Sequence, residues 1–588
     1  MRTCARGQAA VRTSATRALL VGVVLTAALL LTAQAQAAVR ASVARGTLTV
    51  AGGAPGERIA LRSASRGRLV VDVGDNGSAN FTFFRNRFVR IVVSGGRGND
   101  RLRIDESRGA FTNTERTALN GGPGADTLIG GRFAETLNGG TGNDTVEANP
   151  GADRVALGAG ADLTVWDPGD GNDVVQGGSE LDTLRFNGSA AAEVFAAAAN
   201  GSELRLTRNV GSVLMRAQDV ETLALNALGG ADVVTVNDLD STDVTALNLD
   251  LAVGGAGDVA LDTVVVNGTA GADVVAAFAA GTTVQVTGLD PQVNVTGSEA
   301  VNDRLILNGL GGNDTLSAGA LVALMLLTLD GGEGNDTLNS GNGADTLLGG
   351  SGNDTIDGNQ GNDTALLGDG NDTFVWDPGD GSDIVEGQNG VDTLLFNGSA
   401  GAEIMTASSN GGRLLFTRNI GNIVMDTDDV ETLTVNALAA ADTVTINDLA
   451  ATDIAAVNVN LGVSGASDGA NDAVVVNGTV GVDVMSLSGS SGSVTVTSSA
   501  FTISVSNAAP VNDSLTVNLS GGDDVLSASG LASSSVVLAL NGGANEDILV
   551  GSDGADTFNC DTGIDYADGG SGIDVNTAGA CETTVNIP

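Results

Sequence analysis

The chain has 588 residues, of which 85 are glycine and 8 proline, with 3% aromatics, a composition unlike average globular domains, collagen or proline-rich low-complexity chain. Its 71 acidic residues face 27 basic ones, all arginine, because neither lysine nor histidine occurs. The missing histidine removes Ser-His-Asp and Cys-His nucleophile systems, HExxH zinc sites and imidazole bases; the missing lysine removes Schiff-base chemistry and the GxxxxGK[ST] phosphate loop; and a net charge of −44 repels nucleic acid while attracting divalent cations.

Residues 1–37 have the pattern of a secretory signal peptide: Arg2, Arg6, Arg12 and Arg17 precede an apolar run from Ala18 to Leu31 and the small-residue cleavage site Ala35-Gln36-Ala37. The alternative, an N-terminal membrane anchor, needs ~20 apolar residues, more than this run supplies. No other stretch is long enough to span a bilayer, so the mature chain is expected to be secreted, extracellular and either soluble or surface-attached. Cys4 belongs to the signal. Cys560 and Cys581 remain as a pair in an oxidising compartment, expected to form a disulfide that staples the C-terminal end, with two free thiols as the alternative.

Residues 38–118 form a basic β region. From Arg40 to Arg116 there are 14 arginines against 7 acids, a net of +7, whereas residues 117–588 hold 9 arginines and 64 acids, a net of −55. Phe81, Phe83, Phe84 and Phe88 alternate with Arg85, Arg87 and Arg90. The preferred reading is strand phenylalanines against a core with arginines facing water; docking of the head on anionic envelope polymer, or on the acidic body of another copy, is the functional alternative.

Beyond the head, the chain repeats at two periods. Residues 166–190 match residues 376–400 at 17 of 25 positions, an offset of 210 that also relates NDLDSTD at Asn237 to NDLAATD at Asn447. Trp166 and Trp376 occupy the same place in the two copies, where a packing role is preferred to sugar stacking. Inside each copy runs a period of nine. Its acids are Asp126, Glu135, Asp144, Asp153 and Asp162, then Asp173 and Asp182; in the second copy they are Asp336, Asp345, Asp354, Asp363 and Asp372, then Asp383 and Asp392; a terminal fragment adds Asp547, Asp556, Asp565 and Asp574. Gly331-Gly332-Glu333-Gly334-Asn335-Asp336-Thr337-Leu338 shows the pattern GGxGxDxUx, with an apolar residue two after the acid.

Glycines at positions one, two and four admit positive φ, so a six-residue turn can aim carbonyl oxygens inward while the acid adds a carboxylate. A hard cation such as Ca2+ takes six to eight oxygens of these kinds. The last three residues read as a short strand whose middle member enters a core. This repeat resembles the hemolysin-type, or repeats-in-toxin (RTX), calcium-binding family. The resemblance implies an all-β, right-handed parallel β-roll or β-helix solenoid in which two nonapeptides make one coil and each ion sits between the turns of successive coils. Acids eighteen apart are then expected to share an ion: Asp126 with Asp144, Asp144 with Asp162, Asp336 with Asp354, Asp345 with Asp363, Asp354 with Asp372, Asp547 with Asp565 and Asp556 with Asp574. Glu135 with Asp153 is a weaker pair, because GGRFAET puts Ala134 at the fourth position and ANPGAD lacks the leading glycines. About eight ions would add +16 against the −48 that remains after signal removal, so folding is expected to depend on calcium.

The arrays span residues 119–186, 329–396 and 540–588. The spacers, 187–328 and 397–539, hold strand-like runs such as Glu221-Thr-Leu-Ala-Leu-Asn and Asp262-Thr-Val-Val-Val-Asn, with single glycine turns at Asp232, Asp314 and Asp524. They are expected as wider coils of one solenoid, compact β-sandwich modules being the alternative. Repeats and spacers leave no separate catalytic segment, and no long apolar or amphipathic helical segment for pore formation. The reading is a non-enzymatic, secreted calcium-binding structural or adhesive protein. A calcium-dependent polysaccharide lyase or glycosidase is the alternative, with Arg205, Arg208, Arg413 and Arg418 as candidate groups; their other reading is solvent-facing strand arginines that offset local acidity.

Overall fold

The fold is that of a computed structural model, which describes residues 39–53, 56–578 and 581–587. The signal peptide expected at residues 1–37 lies outside the described residues. The chain is built from short strands, with two brief 3-10 turns, Arg85–Arg87 and Ile420–Asn422, and no α-helix among the described residues. Among the described residues, no helix is long and apolar enough to cross a membrane.

The arrays fold as two parallel sheets joined by glycine turns. Arg116–Pro123, Thr136–Thr141 and Arg154–Ala159 stack in register in one sheet, so that Leu119, Leu137 and Val155 form a file. Thr127–Ile129, Thr145–Glu147 and Leu163–Trp166 stack in the other, aligning Leu128, Val146 and Thr164. The second array repeats this with Leu329, Leu347 and Ala365 facing Leu338, Ile356 and Phe374, all fully buried. Because side chains alternate along a strand, one apolar residue per short strand suffices to fill the narrow space between the sheets. The outcome is the parallel β-roll solenoid implied by the repeat.

Both sheets run on through the intervening segments. The extra length there folds into three-stranded antiparallel meanders laid into the parallel sheet. Val194–Asn200, Glu203–Arg208 and Val213–Gln218 pair antiparallel with one another, while the last continues parallel to Val174–Ser179 and the first to Val233–Val236. Ile404–Asn410, Arg413–Arg418 and Ile423–Asp428 repeat this in the second copy. The opposite sheet carries its own meander, Val274–Ala280, Thr283–Thr287 and Gln292–Thr296. Spacer coils are also tied by neutral amide ladders. Asn267 donates to Asn237 at 2.9 Å and Asn308 to Asn267 at 2.7 Å; Asn477, Asn518 and Asn541 continue the counterpart from Asn447 at 2.8, 2.7 and 2.6 Å.

The basic head is the first part of the same solenoid. Thr47–Ala51 pairs parallel with Arg90–Ser94, which pairs with Arg116–Pro123. Phe81 and Phe83 are half-buried against the core, Phe88 is buried and Phe84 is exposed. At the other end Cys560 and Cys581 form a disulfide with their Cα atoms 5.3 Å apart.

Both tryptophans are buried. Trp166 stacks on Phe186 and Trp376 on Phe396, ring centroids 4.0 Å apart in each, and each indole N–H donates at 2.9 Å, to the carbonyls of Gly171 and Gly381. Arg208 and Arg418 cover the indole faces and pair with Glu193 and Glu403, donating through Nε at 2.6 and 2.7 Å. The expectation that these two arginines face solvent is therefore corrected: at 4% and 5% exposure they belong to buried aromatic and ionic clusters that close the array where the coil widens.

Two outcomes follow from this packing. Arg418→Ala leaves Glu403 charged and buried, and is expected to lower unfolding stability by about 3–5 kcal/mol, read by denaturant titration against wild type in calcium. The 26-stranded sheet, at ~4.8 Å per strand, sets a maximum dimension of about 120 Å for small-angle scattering of the calcium-loaded protein.

Candidate metal sites

Each array acid stands immediately before a strand or, at Asp556, opens one, and along each file the backbone N–H of most of these acids donates to the carboxylate of an acid in the next coil. The step is 2.7 Å from Asp126 to Asp144, 2.6 Å from Asp144 to Asp162 and 2.9 Å from Asp162 to Asp182. In the second array it is 2.7 Å from Asp336 to Asp354, 2.7 Å from Asp354 to Asp372 and 2.8 Å from Asp372 to Asp392. The opposite edge carries a second file. There Glu135 donates to Asp153 at 2.6 Å, Asp153 to Asp173 at 2.8 Å, Asp345 to Asp363 at 2.7 Å and Asp363 to Asp383 at 2.9 Å. The terminal array adds Asp547 to Asp565 and Asp556 to Asp574, both 2.9 Å. All of the acid pairs expected from the period of nine are thus brought together as neighbours along a file.

The second carboxylate oxygen divides these acids into two kinds. In Asp126, Asp144, Asp153, Asp162, Asp182, Asp336, Asp354, Asp363, Asp372, Asp383, Asp392, Asp547, Asp565 and Asp574 the Oδ2 atom is buried with no hydrogen-bond partner. In Asp345 and Asp556 it is capped by the N–H four residues earlier, from Gly341 at 3.2 Å and Ser552 at 2.7 Å; Gly131 caps Glu135 in the same way at 2.9 Å. The difference lies in the turn. Where position two has left-handed backbone, as at Gly350 with φ 106°, its N–H is not given to the acid and the Oδ2 atom is left without a donor. A Cβ at Gly350 or Gly352 would collide with the carbonyl oxygen of Gly332 or Gly334 one coil below, so successive turns are in close backbone contact; a Cβ at Gly331 would meet both the Oδ2 atom of Asp336, at 2.5 Å, and the carbonyl oxygen of Gly349 in the next coil, at 2.6 Å, which places a carbonyl oxygen near the carboxylate.

A buried carboxylate oxygen with no donor is costly, and the titration behaviour records it. Burial raises Asp153 and Asp363 to about 8, and Asp144, Asp182 and Asp383 to about 7, with neighbouring acids adding to the rise in Asp153, Asp363 and Asp144. Asp336, Asp372, Asp392 and Asp547 rise to about 6 for the same reason. A divalent cation supplies the missing partner and positive charge together. Unpartnered acid oxygens beside stacked glycine carbonyls match the all-oxygen coordination of Ca2+.

The spacers hold acids that the nonapeptide period does not reveal. Asp232 donates to Asp262 at 2.8 Å and Asp262 to Asp303 at 3.0 Å; Asp442, Asp472 and Asp513 repeat this, with unpartnered buried Oδ2 atoms on Asp232, Asp442 and Asp472. Asp314 and Asp524 join the arrays directly, donating to Asp336 at 2.7 Å and Asp547 at 3.0 Å. The signal common to all of them is an acid directly before an alternating apolar run, as in Asp232-Val-Val-Thr-Val, with no fixed interval. On the surface, oxygens of Asp428, Asp429 and Asp453 lie within 4.8 Å of one another, close to Arg413, which binds Asp428 at 3.1 Å.

A parallel solenoid with files of half-satisfied buried carboxylates along its turns has the build of a cation-binding repeat protein. Residues 118–132, 129–163, 168–185, 306–320, 328–347, 339–374 and 379–407 match the RTX calcium-binding nonapeptide repeat (4 copies), and the chain carries RTX calcium-binding repeats. No curated protein matches it. Among solved structures, the crystal structure of extracellular lipase LipA from Serratia marcescens is similar at 17% identity, covering 59% of this chain and 44% of the lipase chain, with a TM-score of 0.12.

The raised carboxylates set the pH response without calcium. Between the unfolded value of 3.8 and about 8, the folded chain holds more protons than the unfolded one, so stability is fully present at acid pH and falls as pH rises through the folded values. In chelator the melting temperature is therefore expected to be lower at pH 8 than at pH 5, and calcium binding at pH 6–7 to release protons, read by calorimetry in buffers of different ionisation enthalpy. A melting temperature flat over this range contradicts the assignment.

Proposed function

We propose that the protein is an extracellular structural or adhesive element whose solenoid folds on binding calcium, with the unpartnered acids of the three arrays as its ligands. The observation that carries this reading is the run of buried carboxylate oxygens without donors, repeated at every coil of the arrays. Such a stack of like charges is unfavourable in cytoplasm poor in calcium and is stabilised where calcium is near millimolar, so export and folding are coupled. Asp173, Asp345 and Asp556 complete the proposed ligand set through the coils they share with Asp153, Asp363 and Asp574. Anionic envelope polymers, bridged by calcium or held by the basic head, and further copies of the chain are the partners this surface suits. Secretion is supported by the signal-like residues 1–37 and by the disulfide, a bond that persists in oxidising compartments.

The polysaccharide-enzyme reading loses two of its candidate groups, since Arg208 and Arg418 are enclosed with Glu193 and Glu403. The test is circular dichroism and calcium calorimetry on the exported form. At pH 8, where the raised carboxylates are charged, the expected result is a β spectrum in millimolar calcium, loss of most of it in chelator, and a stoichiometry of about eight ions or more. An unchanged spectrum in chelator would falsify the coupling.

A further inference from the structure

We propose that a groove at one corner of the basic head holds a polyuronate, an extended polysaccharide whose sugars carry carboxylates, through unpaired guanidiniums set around an exposed phenylalanine. The inference deepens the envelope role proposed above and rests on it for the class of partner.

Three turns build the corner. Arg45-Gly46 leads into Thr47–Ala51, Ser65-Arg66-Gly67 closes the hairpin of Arg58–Ala64 and Arg68–Val73, and Arg85–Arg87 carries the chain from Phe81–Phe84 across to Arg90–Ser94. Gly46 accepts the N–H of Val89 at 3.0 Å and Gly67 that of Arg85 at 2.9 Å, which holds the turns together. Residues 44–47, 65–68, 84–90 and 114–116 contain seven arginines and a single acid, Glu115. That acid is 4% exposed and paired with Arg85 at 2.7 Å. The other head arginines in ion pairs, among the described residues, are Arg62 and Arg103. Arg45, Arg66, Arg87, Arg90 and Arg116 therefore stand exposed without a carboxylate among the described residues. Arg90 and Arg116 are also register partners on adjacent parallel strands, ~4.8 Å apart. Like charges so placed repel, and an anion between them relieves the repulsion.

The groove between the turns has a volume of about 470 Å³ and is lined by Arg66, Phe84, Phe88 and Val89 among others. Phe84 is 53% and Val89 71% exposed. Strand packing does not require Phe84, because Phe81 and Phe83 already fill the half-buried positions of that strand. Arg68 lies 5.6 Å from the centroid of the Phe84 ring, so ring and guanidinium form one platform.

This chemistry selects among anions. A guanidinium fork pairs bidentately with a carboxylate, and an exposed aromatic ring covers the C–H face of a sugar. The ~4.8 Å between neighbouring strands is close to the length of one residue in an extended polysaccharide. A second copy of the chain fits less well: its array acids are 0–4% exposed and offer no carboxylate to a guanidinium outside their own coils. Nucleic acid meets the net charge of −44.

The test uses the full exported form in millimolar calcium, with a short oligoglucuronate as the probe. A neutral glucan of the same length, polyglutamate and anionic phospholipid vesicles are the comparisons. Expected are binding of the oligoglucuronate that weakens with salt, none of the neutral glucan, and at least about tenfold weaker binding of the other two anions. Arg90→Gln and Arg116→Gln combined are expected to weaken binding about tenfold and to flatten its salt dependence, whereas Phe84→Ala weakens it severalfold and keeps that dependence. Arg97→Gln removes the same charge from the turn at the far end of Arg90–Ser94 and leaves the affinity unchanged. All of these side chains are exposed, so each variant keeps the wild-type β spectrum. Wild-type affinity in the double variant, or an equal loss in Arg97→Gln, overturns the groove. Polyglutamate or vesicles bound as tightly as the oligoglucuronate overturn the sugar assignment. A chain that folds on calcium and ignores the oligoglucuronate overturns this proposal alone; a β spectrum unchanged in chelator, with oligoglucuronate binding intact, overturns the array reading alone.

Discussion

The hydrogen bond from the backbone N–H of one acid to the carboxylate one coil further on is the interaction on which the rest of this structure depends. It fixes the acid at the start of a strand, turns its side chain away from water and sets the next coil in register. The apolar files Leu329, Leu347, Ala365 and Leu338, Ile356, Phe374 fall into line because the acids beside them do. The bond uses only one of two carboxylate oxygens, however. What satisfies the other decides whether a coil stands by itself or needs an ion.

The chain uses two solutions. In Asp273, Asp303, Asp483 and Asp513 the second oxygen receives the N–H of Thr269, Glu299, Thr479 and Ala509, at 2.6 or 2.7 Å, so the turn closes on its own acid. Asparagine ladders accompany these coils and add cross-coil hydrogen bonds with no charge to neutralise. At most array turns, left-handed backbone at position two swings its N–H away and the second oxygen stays bare. Both states occur along one architecture: Asp232, Asp442 and Asp472 in the spacers are also bare, and Asp345 and Asp556 in the arrays are capped. The meanders and the Trp–Phe–Arg–Glu clusters sit where one state passes into the other, giving that junction a rigid, metal-independent core.

Much of this was legible in the sequence. The period of nine placed the array acids, and its alternation of glycine and apolar residues is enough to fix a parallel roll. Three things were not legible, each for a physical reason. Asp345 and Asp556 fit the repeat by position, but the N–H groups of Gly341 and Ser552 meet their carboxylates; this depends on the backbone angles of single turns. Asp232, Asp262 and Asp303 continue the file at intervals of varying length, because a coil can carry a meander without losing its register, and periodicity is blind to such insertions. Arg208 and Arg418 looked like surface counter-charges because their partners Glu193 and Glu403 lie fifteen residues away, across a strand and its return, a contact that only the meander creates.

The uneven charge follows from the same logic. A file of carboxylates can be stabilised by cations from solution or by basic residues of the chain itself, and the two exclude each other at a given turn, because a guanidinium beside the file repels the ion. The body has few arginines near its turns, and its bare carboxylate oxygens suit a cation from solution. In the head, buried and half-buried pairs such as Arg62 with Asp72, Arg85 with Glu115 and Arg103 with Asp75 supply internal partners, and the strands there hold together around ion pairs and phenylalanines. The first coils therefore have a source of stability that does not wait for calcium. A folded edge at one end gives the N–H donors and strand register against which the next coil's acid can be placed. Nucleation is the unfavourable step in any stack of identical coils, since the first pays the ordering entropy with the fewest neighbours. Concentrating the arginines in the head places metal-independent stability at the step where it is needed.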